Sequence, residues 1–220
     1  MLFDLRGRGR RRTVQGVYLG LALLMGGGLV LFGVGAGNGF GGLLNAFSGN
    51  GSNNQKSVVS AQEKAALKTI KVNPNDPTAW AALVQARWTS AGQGSNFNAT
   101  SGQFTAAGKK ELAAATQAWQ RYRQLTKAPD PNLAVLAARA YAAQGNYAGE
   151  AGAWELEAAA NPSQAKGYEC LAVSAYAAKQ TRKGDLAMAK ALTLVPKAQQ
   201  SVMKGQIQQA KTNPQIAQQC

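Results

Sequence analysis

The feature that most constrains this chain is an apolar run from Val14 to Val34 that contains no charged residue. As an α-helix this run is about 31 Å long, because each residue adds about 1.5 Å. The hydrocarbon core of a bilayer is about 30 Å thick, and a helix satisfies its backbone hydrogen bonds internally. The run therefore predicts one transmembrane helix over residues 14–34.

The distribution of charge predicts the orientation of this helix. Residues 1–13 form a basic segment with five arginines, namely Arg6, Arg8, Arg10, Arg11 and Arg12. The stretch that follows the apolar run carries no charge until Lys56. Because basic residues accumulate on the cytoplasmic side of a membrane, we expect a cytoplasmic N-terminus and an extracytoplasmic remainder. The arginines then act as an orientation signal within the net charge of +14, and no nucleic-acid partner is predicted.

Two other properties of the N-terminal region stay open. Cleavage after the apolar run, near the small residues GAGNG, would release the rest of the chain as a secreted protein. The glycines at 16 and 20, and again at 33 and 37, have the G-x-x-x-G spacing that lets two membrane helices pack closely. The second pattern gives a homo-oligomer through the anchor glycines as a hypothesis, although a segment this rich in glycine contains such spacings by chance.

The rest of the chain divides by composition. Residues 35–56 are rich in Gly, Asn and Ser, which predicts a flexible tether. Residues 57–214 are dense in Ala, Leu, Gln, Lys and Glu with apolar residues at helical spacing, which predicts an all-α domain. Within it, the Gly/Ser/Asn/Thr-rich stretch at about 89–108 is predicted as an inserted loop, and residues 215–220 as a C-terminal tail.

Residue content argues against enzymatic chemistry. The chain has no histidine, the usual general base and a common metal ligand, and no paired carboxylates or phosphate-binding glycine loop. We therefore predict a protein that is not an enzyme, with no catalytic, cofactor-binding or metal site. Cys170 is interpreted as a small buried residue and Cys220 as a terminal free thiol, while a bridge between them outside the cytoplasm stays open.

Proline-containing breaks recur at a regular spacing along the helical region. Pro129 and Pro162 are 33 residues apart, and Pro162 and Pro196 are 34 apart. Pro74 and Pro129 are 55 apart, which is one such repeat plus the inserted loop. A period of 34 residues is that of a helix-turn-helix repeat.

The residues within these units resemble the tetratricopeptide repeat (TPR) family. The first helix of the third unit matches the family's large and small positions at Tyr168, Leu171, Ala172 and Ala175. Its second helix ends as the family's does, at Ala191, Leu192, Leu194 and Pro196. The second unit contains AARAYAAQGNY at 137–147, and the first departs from the pattern because Arg87 stands where an aromatic residue is usual. The resemblance implies an α-solenoid of about three helix pairs with flanking helices.

The resemblance also implies a function. First helices of such repeats line a concave surface that binds peptides or protein segments, and the matching positions here are Gln85, Trp88, Arg139, Lys166, Glu169 and Tyr176. Five aromatic residues of the helical region are interpreted as packing anchors, namely Trp80, Trp119, Trp154, Tyr141 and Tyr168. The layout is similar to that of single-anchor TPR proteins that accompany bacterial export machinery.

The sequence thus favours a membrane-anchored scaffold that binds a protein or peptide partner on the extracytoplasmic side. Two alternatives stay open. One is a secreted helical binding protein, and the other is a basic surface that binds anionic lipid or cell-wall polymer.

Overall fold

A computed structural model describes residues 52–220, with side chains from Val59 onward. The predicted anchor at 14–34 and most of the predicted tether lie outside the described residues. Within the described part, no helix is both long and apolar enough to cross a bilayer.

The described part is all-α apart from one small hairpin, as the sequence predicts. Its eight α-helices are α1 (Ser52–Val72), α2 (Pro77–Ala91), α3 (Ala106–Leu125), α4 (Pro131–Ala143), α5 (Tyr147–Ala160), α6 (Ala165–Ala177), α7 (Thr181–Thr193) and α8 (Lys197–Gln209). Two short 3-10 helices lie at Gly94–Asn96, between α2 and α3, and at Pro214–Gln219, after α8. Helix α1 begins within the segment that the sequence predicts as tether.

The helix starts follow from local side chains. Asp76 and Asp130 each accept hydrogen bonds from backbone N–H groups of the first turn, and a proline occupies the next position. A carboxylate at this position accepts hydrogen bonds from N–H groups that have no partner within the helix. Proline fits the next position because it has no N–H group that would need a partner. The breaks predicted at Pro74 and Pro129 therefore lie just before helix N-termini, since α2 begins at Pro77 and α4 at Pro131.

Successive helices form hairpins that stack in sequence order. Helices α2 and α3, α4 and α5, and α6 and α7 pack closely as pairs, and α5 also packs on α6. The starts of α4 and α6 are 34 residues apart, and so are those of α5 and α7. The turns inside the last two hairpins place Gly145 and Lys179 at φ of 70° and 61°. Each turn therefore contains one residue in the left-handed backbone region, just after the first helix of the hairpin.

The insertion between α2 and α3 differs from the predicted plain loop. Two short strands, Phe97–Asn98 and Gln103–Phe104, pair in antiparallel register with Phe97 opposite Phe104. The two rings lie edge to face, with centroids 5.2 Å apart. Trp88 is 6.4 Å from Phe104, so an aromatic cluster holds the insertion against the end of α2.

Small residues of the core lie where helices approach closely, and aromatic side chains fill the wider spaces between helices. Trp119, Trp154 and Tyr141 are buried, and Trp80 and Tyr168 pack against the same core while partly exposed. The interpretation of these residues as packing anchors is confirmed. The Tyr141 ring lies directly over Gly149, where any Cβ would come within 2.7 Å of the ring.

The unusual residue Arg87 connects three helices. Its guanidinium donates to Glu111 of α3 at 2.7 Å and pairs with Glu63 of α1 at 2.8 Å. All three side chains are about three-quarters buried. This ion-pair network joins the first hairpin to α1.

Candidate partner-binding surfaces

The residues predicted to bind a partner are distributed over the first helices of the three hairpins. We call the surface of α2, α4 and α6 that carries Gln85, Trp88, Arg139, Lys166, Glu169 and Tyr176 the first-helix face. Arg139 and Lys166 are exposed, and Glu169 is half-buried in an ion pair with Lys166 at 3.4 Å. Gln85 and Trp88 are partly buried.

Tyr176 differs from the other five because it is buried. Its ring packs over Gly184, and its hydroxyl donates to the Asp185 carboxylate at 2.5 Å. Burial and this hydrogen bond raise the pKa of the Tyr176 phenol. The Lys211 ammonium lies 4.4 Å from the centroid of the Tyr176 ring. Tyr176 therefore connects α6, α7 and the turn after α8, and its side chain is not open to a partner.

The C-terminal segment covers part of the two later first helices. Its 3-10 helix, Pro214–Gln219, packs on α6 and on α4, and Ala217 is fully buried there. Cys220 forms a disulfide with the buried Cys170 of α6, with 5.6 Å between their Cα atoms. The bridge left open by the sequence is present, and the predicted tail is packed structure.

An open cleft lies on another side of the stack. Helices α5 and α7 both pack on α6 but hardly touch each other, and the gap between them has a volume of about 810 Å³. We call it the outer cleft. Its lining is Glu155 from α5, Tyr168 and Leu171 from α6, Gln180 before α7, and Thr181, Arg182, Lys183, Leu186, Ala187 and Lys190 from α7.

The outer cleft was missed by sequence reasoning, although one signal for it exists. Helix α7 buries Gly184, Ala187 and Ala191, which share one face at helical spacing. Leu186 lies off that face and is 65% exposed. A single exposed leucine is common on a protein surface, so this signal alone does not predict the cleft.

Helix α5 contains two buried carboxyl groups. Glu150 is fully buried, and neither of its oxygens accepts a hydrogen bond within the described part of the chain. Desolvation raises its pKa to about 8, although the nearby indole N–H of Trp154 offsets part of this effect without reaching full hydrogen-bond geometry. Glu150 is therefore mostly protonated at neutral pH.

The second buried carboxyl is that of Glu157. Desolvation raises its pKa, and the Asn161 amide, which donates to it at 3.0 Å, offsets part of that rise. Its other oxygen lies against Gly167 of α6, where any Cβ would collide with it. Neither buried carboxyl lines the outer cleft, and the described residues contain no group of three potential metal ligands. The two carboxyls are features of helix packing.

The surface charge of the described part is strongly unbalanced. Nineteen of the 24 basic residues and nine of the ten acidic residues lie between residues 52 and 220. Every one of these nine carboxylates is already used: two cap helices, two are buried, and five form ion pairs, namely Glu63, Glu111, Glu155, Glu169 and Asp185. The surface accordingly offers excess cations and few free anions to a partner.

Comparison with known proteins adds no relative to this description. No protein-family model, no curated protein and no solved structure matches the chain.

Proposed function

We propose that this protein is a membrane-anchored scaffold whose TPR-like stack of helix hairpins binds a protein partner on the extracytoplasmic side. In this proposal residues 14–34 are the anchor and the stack is the binding domain. The protein performs no catalysis of its own.

The observation that carries the proposal is the stacking of helix hairpins in a 34-residue register. A solenoid of this kind buries its apolar surface only between neighbouring units. Apart from the part of α4 and α6 that the C-terminal segment covers, its outer surfaces are left free, and they suit the recognition of extended protein segments. Arg139 and Lys166 provide exposed polar contacts on the first-helix face.

The Cys170–Cys220 disulfide supports the location. Disulfides persist in oxidising compartments and are rare in the cytoplasm, where thiols are kept reduced. A bridge that joins α6 to the last residue of the chain agrees with an extracytoplasmic domain. It also agrees with the orientation that the arginines predict.

The test of the scaffold uses photo-crosslinking in intact cells. A photoreactive amino acid replaces Arg139 or Lys166 on the first-helix face, Leu186 in the outer cleft, or Lys204 on α8 as a control. We expect discrete protein adducts from at least one of the first three positions and none from Lys204. Adducts to lipid alone, or equal adducts at all four positions, would refute the scaffold.

The anchor and its orientation are tested separately. We expect the protein to remain in the membrane fraction after washing with high salt and alkaline carbonate, with a C-terminal tag that protease removes from spheroplasts. Release of a shortened chain would instead indicate cleavage after the apolar run.

The excess of unpaired cations favours a second candidate, which is binding to an anionic polymer or lipid surface. Such binding depends on screened surface charge, since the Debye length is about 8 Å at physiological ionic strength. It would therefore collapse between low and moderate salt. A scaffold contact with buried apolar area would persist under the same conditions.

A further inference from the structure

The outer cleft combines an apolar interior with an exposed leucine. Tyr168 and Leu171 of α6 lie between the flanking helices, and Ala187 and Leu186 of α7 form one wall. Leu186 presents most of its side chain to solvent. The volume of about 810 Å³ falls within the range of about 300–1,000 Å³ that is typical of ligand pockets.

The fold explains why this gap exists. The small residues Gly184, Ala187 and Ala191 are buried and let α7 pack closely on α6. Leu186, on another face of α7, is left exposed to solvent. Helix α5 also packs on α6, and the Lys183–Glu155 ion pair at 2.7 Å spans the gap between α5 and α7. The cleft is thus framed by packed helices and does not depend on a loop for its shape.

The rim of the cleft is positively charged. Glu155 is the acidic residue of the lining, and Lys183 already neutralises it. Arg182 and Lys190 have no carboxylate within ion-pair distance among the described residues, and Lys190 lies 5.8 Å from the centre of the Tyr168 ring. The first turn of α7 has no acidic residue and no side-chain cap, so its helix dipole adds to the same sign.

We infer that the outer cleft binds an acidic protein segment that inserts an apolar side chain between Tyr168, Leu171 and Leu186, with carboxylates of the segment pairing with Arg182 and Lys190. Charge complementarity selects the acidic residues, and the apolar walls select the inserted side chain. The inference rests on the proposed function only in that the partner is a protein.

Two features favour a protein segment over a lipid or polyanion surface. Arg182 and Lys190 lie beside an apolar gap that contains Leu171 and Leu186, whereas binding to a charged surface requires no apolar gap. The amide oxygen of Gln180, in the lining, accepts no hydrogen bond within the described part of the chain. After a side-chain rotation it can accept from a backbone N–H, a donor that phosphate and acyl groups lack.

The test uses the intact chain held in nanodiscs of neutral lipid and an array of short peptides. In the array a leucine pair is flanked by glutamates, and matched arrays carry lysines in place of the glutamates or serines in place of the leucines. We expect binding only to peptides with both leucines and glutamates. Leu186→Ser and the double variant Arg182→Glu/Lys190→Glu should each weaken that binding by roughly tenfold or more, which corresponds to about 1.4 kcal/mol or more.

Matched controls lie on α8. Val202→Ser removes another exposed apolar residue and Lys204→Glu reverses another charge, and neither residue lines the cleft. Both should bind the peptides as the unmodified chain does. Loss of binding in these controls, equal binding of the serine-substituted peptides, or competition by phosphatidylglycerol vesicles to completion would overturn the inference in favour of nonspecific charge. No binding by any peptide would also overturn it, while crosslinks from Arg139 would leave the scaffold standing.

Discussion

The disulfide between Cys170 and Cys220 closes a loop of 50 residues that contains α7, α8 and the C-terminal 3-10 helix. Cys220→Ser removes this bridge and leaves the buried Cys170 side chain unchanged. The chain-entropy relation for a loop of this length gives about 4 kcal/mol of stabilisation, through restriction of the unfolded chain. For a domain of this size, a loss of that magnitude lowers the melting temperature by about 10 °C.

The assay is urea or thermal unfolding of the intact chain in mild detergent, followed by tryptophan fluorescence. Trp154 reports on the affected region, because it is buried in α5 and α5 packs on α6. Adding a reductant should shift the unmodified chain to the midpoint of Cys220→Ser and should leave that variant unchanged. Equal midpoints for the oxidised, reduced and substituted chains would show that the bridge does not stabilise the fold and would refute the reasoning.

Three other changes have defined expected effects. Arg87→Met leaves two partly buried carboxylates without their shared cation, and we expect a loss of about 1–3 kcal/mol in the free energy of unfolding, measured in urea. Glu150 has a folded pKa of about 8, above the 4.5 of the unfolded chain, so the folded state retains a proton that the unfolded state releases. Stability should then fall from about pH 4.5 to pH 8, by up to about 1.4 kcal/mol per unit, and Glu150→Gln should remove this slope. Gly184→Ala places a Cβ 2.6 Å from a tyrosine ring and should destabilise by about 1–3 kcal/mol, whereas Gly205→Ala, with open space around it, should stabilise by about 0.5–1 kcal/mol.

Each of these changes has its own control. Arg139→Met removes an exposed arginine that has no ion pair within the described residues and should leave the urea midpoint nearly unchanged. A pH slope that survives in Glu150→Gln would assign the proton to another group, of which Glu157 is the first to examine. If Gly184→Ala and Gly205→Ala behaved alike, the close contact of α7 with Tyr176 would not be what requires glycine at position 184.

Much of the helical architecture could be predicted because its signals are local. Asp76 and Asp130 with the prolines that follow them mark helix starts whatever the rest of the chain does. The packing of Trp119, Trp154 and Tyr141 also follows from helical spacing, which places large apolar residues on one side. The helix hairpins repeat every 34 residues, which agrees with the TPR resemblance. Membership of the family stays a prediction, because a spacing alone does not define it.

The candidate site was harder to predict because exposure depends on neighbouring helices. The TPR resemblance predicts that Tyr176 faces a partner, yet Gly184 of the next helix and Lys211 beyond α8 pack against its ring. Leu186 lies in an ordinary helical sequence and is exposed because α5 and α7 do not close on each other. Predicting which of these side chains is exposed requires the distances between packed helices, and a single sequence does not contain those distances.

The sequence by itself determined the all-α class, the helix starts at Pro77 and Pro131, the place of the insertion, and the expectation of an anchor with its orientation, because each depends on the chemistry of neighbouring residues. Only the tertiary structure decided that Cys170 meets Cys220, that the C-terminal segment covers part of α4 and α6, and that an open cleft remains beside α7. Those features join residues far apart in the chain. Their contacts are set by how closely helices approach, and small residues such as Gly167 and Gly184 fix that distance.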